Sequence, residues 1–277
     1  MTSWRRRAAT LIWPTLGIAA LLMVWALVHH AYGALVMPSL TDTAAALQRI
    51  AVSGALINAL SSTLLHAVGG VLLGISTGFA LGLAGGLIVP LGAALAPIAS
   101  IILAIPPIVW VVLSFLWFGV GGFGALITVA ITTMPVIFAA TLQGFRARDP
   151  LLAEMATVFR LPWRSRLFRI TLPGLATVLA PALTTAIAIS WKVALTAEVL
   201  GDGSGIGGRF AEARAHLDLA EAMAWIALVA MLVLVVDRLS LGSLRHWLQR
   251  SHRADNAGAF DQPARCAAPP SPADKRC

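Results

Sequence analysis

The chain has 277 residues, of which 58% are hydrophobic and 12% charged, with a mean hydropathy of +0.85. A soluble domain of this length carries about 25% charged residues, so there is too little polar surface here to cover a water-exposed globule. The formal net charge of +8 does not indicate nucleic acid, because the basic residues lie between apolar runs and not on one soluble face.

From Ile50 to Phe145 no Asp, Glu, Lys or Arg occurs. A membrane span needs about 20 mostly apolar residues, so this stretch alone holds three. Backbone groups in hydrocarbon must be satisfied internally, and period-2 alternation is absent, which selects helices over a barrel. The chain reads as an all-α membrane protein with six transmembrane helices.

In chain order, residues 1–9 form a cytoplasmic N-terminus with Arg5, Arg6 and Arg7. The first span, 10–30, is too long for a signal peptide and is followed by others, so it is read as an uncleaved helix. Residues 31–56 form a periplasmic connection with a short helix capped near Thr41 or Asp42. The second span, 57–84, begins a row of Gly70, Gly74, Gly78, Gly82 and Gly86. At four-residue spacing these line one ridge, where another helix backbone can approach closely. Pro106 and Pro107 fall in the third span, 95–118, and Pro135 in the fourth, 122–145. Each proline removes a backbone donor, leaving open a broken helix or a simple bend.

The fifth span is 174–200 and the sixth 219–239. Between them GDGSGIGG, 201–208, follows no strand and lacks the lysine of a phosphate-binding loop, so it reads as a flexible periplasmic loop. The membrane domain is thus 10–240, with 241–277 a cytoplasmic, partly disordered tail. Cys266 and Cys277 lie in that tail with no metal-ligand spacing around them. Of the 20 Lys and Arg residues, 16 fall on the side of the N-terminus, against Arg49, Arg209 and Arg214 on the other, with Lys192 inside a span. The positive-inside rule therefore places both termini in the cytoplasm.

The connection 146–173 is too long and too patterned for a hairpin. Asp149 and Pro150 make a helix start, and Leu151, Leu152, Met155 and Phe159 recur at helical spacing. Beyond Pro162 stand Arg164, Arg166 and Arg169 among Trp163, Leu167 and Phe168. A short amphipathic helix here, lying across the membrane face, can dock into a partner.

This stretch resembles the cytoplasmic loop of the integral-membrane subunits of binding-protein-dependent ABC importers. Their loop reads E-A-A, three residues, G, nine residues, I, any residue, L-P. The counterparts are Glu154, Met155 and Ala156, then Arg160, then Ile170, Leu172 and Pro173. Met155 stands where the family has alanine and Arg160 where it has glycine, with Pro162 close enough to supply the turn. Within the family the chain is most similar to sulfonate, taurine and nitrate permeases, through Ile105-Pro106-Pro107-Ile108-Val109-Trp110, Trp117-Phe118-Gly119 and Ser190-Trp191-Lys192 leading into Ala197-Glu198. The resemblance covers roughly residues 35–240 of the sequence.

It implies a coupling-helix loop between helices 4 and 5 that seats in a cytoplasmic ATPase, with ATP and Mg on that partner and no cofactor on this chain. It also implies a periplasmic solute-binding protein, a second permease chain of the same kind and location in the bacterial inner membrane. Glu154 has another reading, as an acid favoured by the dipole of a helix start.

Three residues are candidates for a solute pathway: Lys192, Glu198 and His66. A charge at mid-bilayer costs about 2.5–3.5 kcal/mol, so Lys192 faces a wet cavity, an ion-pair partner or, by snorkelling, an interface. Glu198 near the span end is either interfacial or pathway-lining, and His66 either a hydrogen-bonded interior histidine or a ligand contact. No nucleotide-binding, metal-ligand or Ser-His-Asp pattern is present, so the chain is not expected to be an enzyme. The alternative of a secondary transporter would bring inverted repeats and carboxylates deep in spans, and neither is evident.

Overall fold

The computed structural model describes residues 2–147, 172–201 and 204–238, with Met155, Val158, Phe159, Pro162 and Ser165 between them. Regular structure among the described residues is entirely helical: α1 (Thr2–Tyr32), α2 (Leu40–Val52), α3 (Ala55–Leu87), α4 (Val89–Ala104), α5 (Pro107–Phe118), α6 (Gly122–Arg146), α7 (Leu172–Leu200), α8 (Gly205–Ala215) and α9 (Leu219–Arg238). Among the described residues five helices are long and apolar enough to cross a membrane, or six if α4 and α5 count as one broken span.

Of the broken helix and the simple bend left open for the prolines of the third span, the break is what forms, between α4 and α5. The two legs meet at an angle of 100°. Pro106 and Pro107 cannot donate to the carbonyls four residues back, those of Ile102 and Leu103, and proline also disfavours helix at the residue before it. Ile105 and Pro106 are accordingly extended, with ψ of 128° and 137°. Trp110 of α5 reaches back across the corner, its indole N–H donating to the Ile102 carbonyl at 3.3 Å. By contrast α6 runs through Pro135 without a break.

The centre of the molecule is α6. The glycine ridge of α3 lies against it, so closely that a Cβ on Gly70 would stand 2.5 Å from the Cβ of Val129. A Cβ on Gly74, Gly78, Gly82 or Gly86 would strike Thr133, the Met134 carbonyl, Thr141 or Phe145. The buried threonines of α6 turn their hydroxyls onto their own helix, Thr133 to Val129 O at 2.8 Å and Thr141 to Ile137 O at 2.7 Å. The seam therefore carries no unmet donor and works by close packing. On the other side α6 packs on α7, where Gly144 leaves room for the buried Leu175.

The outer elements follow from their patterns. Ser39 caps α2, accepting from Asp42 N at 3.0 Å, so the cap lies just before the expected Thr41 or Asp42. The buried face of α2, with Ala46 and Ile50, joins Ile206 of α8 and Trp225 of α9 in one core cluster. In α1 the Thr15–Tyr32 stretch buries nothing. It is tethered through Trp25, donating to Pro38 O at 3.0 Å, and His29, 2.7 Å from Met37 O.

Candidate functional site

Two of the candidate residues, far apart in sequence, meet at a buried junction of α3, α7 and α8. His66 Nδ1 lies 2.9 Å from Glu198 Oε1. Thr63, one turn before His66 on the same face of α3, donates its hydroxyl to Glu198 Oε2 at 2.8 Å. The backbone N–H of Gly207 donates to the same oxygen at 3.0 Å, and that of Ile206 to Thr63 Oγ1 at 2.9 Å. Glu198 is 2% exposed, His66 5% and Thr63 0%.

The reason for this arrangement is the start of α8. A helix leaves its first N–H groups without partners, and the residue before it normally caps them. Ser204 occupies that position but its side chain makes no capping bond. Glu198 of α7 and Thr63 of α3 do the capping instead, and the carboxylate also meets the positive end of the helix dipole. The glycines follow from the crowding. Gly205 has φ +78°, and a Cβ there would overlap the Glu198 carboxylate. A Cβ on Gly207 would stand 2.9 Å from that of Glu198, and one on Gly122 would strike His66 Nε2.

The segment expected as a flexible loop over 201–208 is therefore, from Gly205 on, a helix bound to the bundle; Asp202 and Gly203 lie outside the described residues. Glu198 is not interfacial but enclosed. Sequence reasoning passed over Thr63, Gly122, Gly205 and Gly207. The signal available was a Thr–x–x–His pair on one helical face and an acid followed seven and nine residues later by glycine.

Lys192 stands apart from this junction. It is exposed, about 120° around α7 from Glu198, and has no ion-pair partner among the described residues. Two cavities open along that side. The larger, of about 570 Å³, lies inside the α4–α5 corner and is lined by Ile105, Pro107, Thr132, Gln143, Pro181, Thr185 and Ile189 among others. The other, of about 400 Å³, is apolar, with Ile108, Leu195, Thr196, Val199 and Phe210 in its wall. Neither His66 nor Glu198 lines either cavity.

Of the residues matched to the ATPase-docking pattern, Met155 is helical and 55% exposed, with Val158 and Phe159 beside it exposed at 78% and 70%. Leu172 and Pro173 open α7. Glu154, Ala156, Arg160 and Ile170 lie outside the described residues. The described loop residues thus include three large apolar side chains left uncovered.

Comparison with known proteins agrees with this architecture. The SsuC protein of Bacillus subtilis, whose name assigns it to aliphatic sulfonate transport, is 24% identical over 143 residues, 52% of each chain. The taurine transport system permease TauC of Escherichia coli is 22% identical over 158 residues, 57% of each chain. The nitrate import permease NrtB of Synechococcus elongatus is 26% identical over 117 residues, 42% of each chain. The chain spans about half the length of the curated relatives it matches.

Among solved structures, a chain of the inward-facing MetNI methionine ABC transporter superposes with a TM-score of 0.52 at 15% identity, covering 66% of this chain and 93% of that one. A chain of an amino acid ABC transporter crystallised with histidines gives 0.59 at 18% identity, covering 74% and 97%. At these identities the likeness is one of fold. Residues 70–253 match the binding-protein-dependent transport system inner membrane components, and it is to that family of multi-pass membrane proteins that the chain belongs.

Proposed function

We propose that this chain is the permease subunit of an ABC importer, forming the path of a small solute and coupling its movement to ATP hydrolysis on a separate cytoplasmic ATPase. A solute-binding protein outside the membrane delivers the solute, and a second permease chain of the same kind completes the path. The names of the relatives, which refer to sulfonates, taurine and nitrate, favour a small anion.

The observation that carries the reading is the loop 146–173. Its spacing from Glu154 to Leu172-Pro173 matches the ATPase-docking pattern, and it hangs between two helices that pack tightly where they leave it. Leu175 is 1% exposed, and a Cβ on Gly144 would stand 3.0 Å from its Cδ2. A loop fixed to such a pair acts as a handle. Displacing it moves α6 and α7 together, and through the glycine seam α3 as well, because close-packed interfaces shift as bodies and do not deform continuously. Closure of two ATPase subunits on ATP would thereby drive exchange between inward- and outward-facing states.

The test is reversal of the charge that the partner would grip. Glu154→Arg should abolish co-purification of the ATPase and solute-stimulated ATP hydrolysis, while the permease keeps its elution profile. A variant that still binds the ATPase and transports at the normal rate would refute the docking assignment.

A further inference from the structure

We propose that the face of α7 carrying Thr185, Lys192 and Thr196 is a water-facing wall of the solute path, and that Lys192 is the station on it that holds a small oxyanion. The proposal rests on the permease reading and deepens it by naming the wall, the cation and the chemistry of the solute.

Residues 185, 189, 192 and 196 are spaced by four, three and four, which places them on one side of a helix. Thr185 and Ile189 line the cavity inside the α4–α5 corner, and Thr196 lines the apolar cavity beyond it. Lys192 sits between the two on the same face, about 4.5 Å along the axis from Ile189 and about 6 Å from Thr196. The first residues of α5 divide the cavities, with Pro107 in one wall and Ile108 in the other. The broken span thus stands beside the stretch of α7 between the two cavities, where Lys192 lies without itself lining either.

The alternatives for Lys192 are less well supported by the same geometry. Hydrocarbon would cost about 2.5–3.5 kcal/mol for the charge. Snorkelling is opposed by direction: Lys192 lies eight residues from the C-terminal end of α7, but helical side chains lean toward the N-terminus. The stem therefore points away from the nearer end. A structural ion pair has no counterpart among the described residues, since the acid of this helix, Glu198, is committed to His66.

Donor and acceptor arithmetic then selects the solute. The hydroxyl of Thr185 donates to Pro181 O at 3.0 Å and that of Thr196 to Lys192 O at 2.8 Å. Their hydrogens are spent on their own helix, so what this face offers to a solute as donor is the ammonium. It is met by a group that brings several acceptor oxygens and a negative charge, such as a sulfonate, and the flanking apolar walls accommodate a short carbon chain.

The experiment needs neither the ATPase nor a known solute. In a Cys266→Ser, Cys277→Ser background, Thr185→Cys and Thr196→Cys are treated in membrane vesicles with two methanethiosulfonates of similar size, one bearing a sulfonate and one a trimethylammonium. Both positions should label, the sulfonate reagent faster by about tenfold, as expected where a charged cleft concentrates counter-ions. Lys192→Gln should erase that preference while leaving the positions reactive, and Lys192→Arg should preserve it.

Absence of labelling at both positions overturns the wall, whether the cause is lipid or, as disulfide formation between two copies would reveal, a dry interface. Labelling with no charge preference, or with one that survives Lys192→Gln, overturns the station. Failure of ATPase coupling in the Glu154→Arg test leaves all of these readouts intact, so the two readings fail separately.

Discussion

Glu198 of α7 meets His66 and Thr63 of α3 and the Gly207 backbone of α8, so the set joins three helices. Removing one member of such a buried set strands the others in a dry place, which costs far more than the set contributes as a whole. Glu198→Ala should therefore lower stability by about 3–5 kcal/mol, read as a fall in the unfolding midpoint of the detergent-purified protein. Thr63→Val, which leaves the Ile206 N–H unmet, should cost about 1–3 kcal/mol. An alanine variant as stable as the parent would mean that α8 is not held through this carboxylate. The sequence shows each of these residues but not their meeting, because a pair 132 positions apart is joined only by the packing of α3 on α7. Lys192 was legible for the opposite reason: a lone charge in an apolar run needs no partner to be noticed.

Among the elements, the corner between α4 and α5 is where chain chemistry and packing can be separated. Two adjacent prolines remove two consecutive donors, so an interruption at Ile105 follows from the sequence. Its angle of 100° does not, since that depends on how the apolar α5 settles against α6 and α7. The Trp110 indole on the Ile102 carbonyl holds the angle in place. Trp110→Phe keeps most of the apolar contact and leaves that carbonyl unmet, with an expected loss of about 1–3 kcal/mol. Changes in hydrogen exchange confined to residues 100–110 would check it, and unchanged protection there would show that the indole bond does not secure the corner. The α3 ridge illustrates the same division. Five glycines at fixed spacing announce a close approach, but only the fold identifies α6 as the helix that comes near. Once it is known, the in-register small residues Val129, Thr133 and Thr141 read as the complementary surface.

For the whole molecule, orientation decides whether these parts can work together, and it is carried by charge alone. With sixteen basic residues on the side of the loop 146–173 against three on the other, the positive-inside rule leads us to propose that this loop is cytoplasmic. On that proposal, with the helices alternating through the bilayer, α8, whose Arg209 and Arg214 are among the three, is expected outside with the Glu198 junction just beneath it. The chain carries its own reporters of this topology, since Cys266 and Cys277 both follow the last span. A membrane-impermeant maleimide should label the unaltered protein in inside-out vesicles and not in spheroplasts. Arg214→Cys, exposed on α8 and placed in a background without the two tail cysteines, should give the reverse. The two patterns must invert together, because an even number of crossings separates neither terminus from the other but an odd number separates α8 from the tail. If both sites labelled from one side, the last helix would not cross. If the whole pattern were reversed, Glu154 would face away from any source of ATP, and a permease driven from the cytoplasm could not be built from this chain.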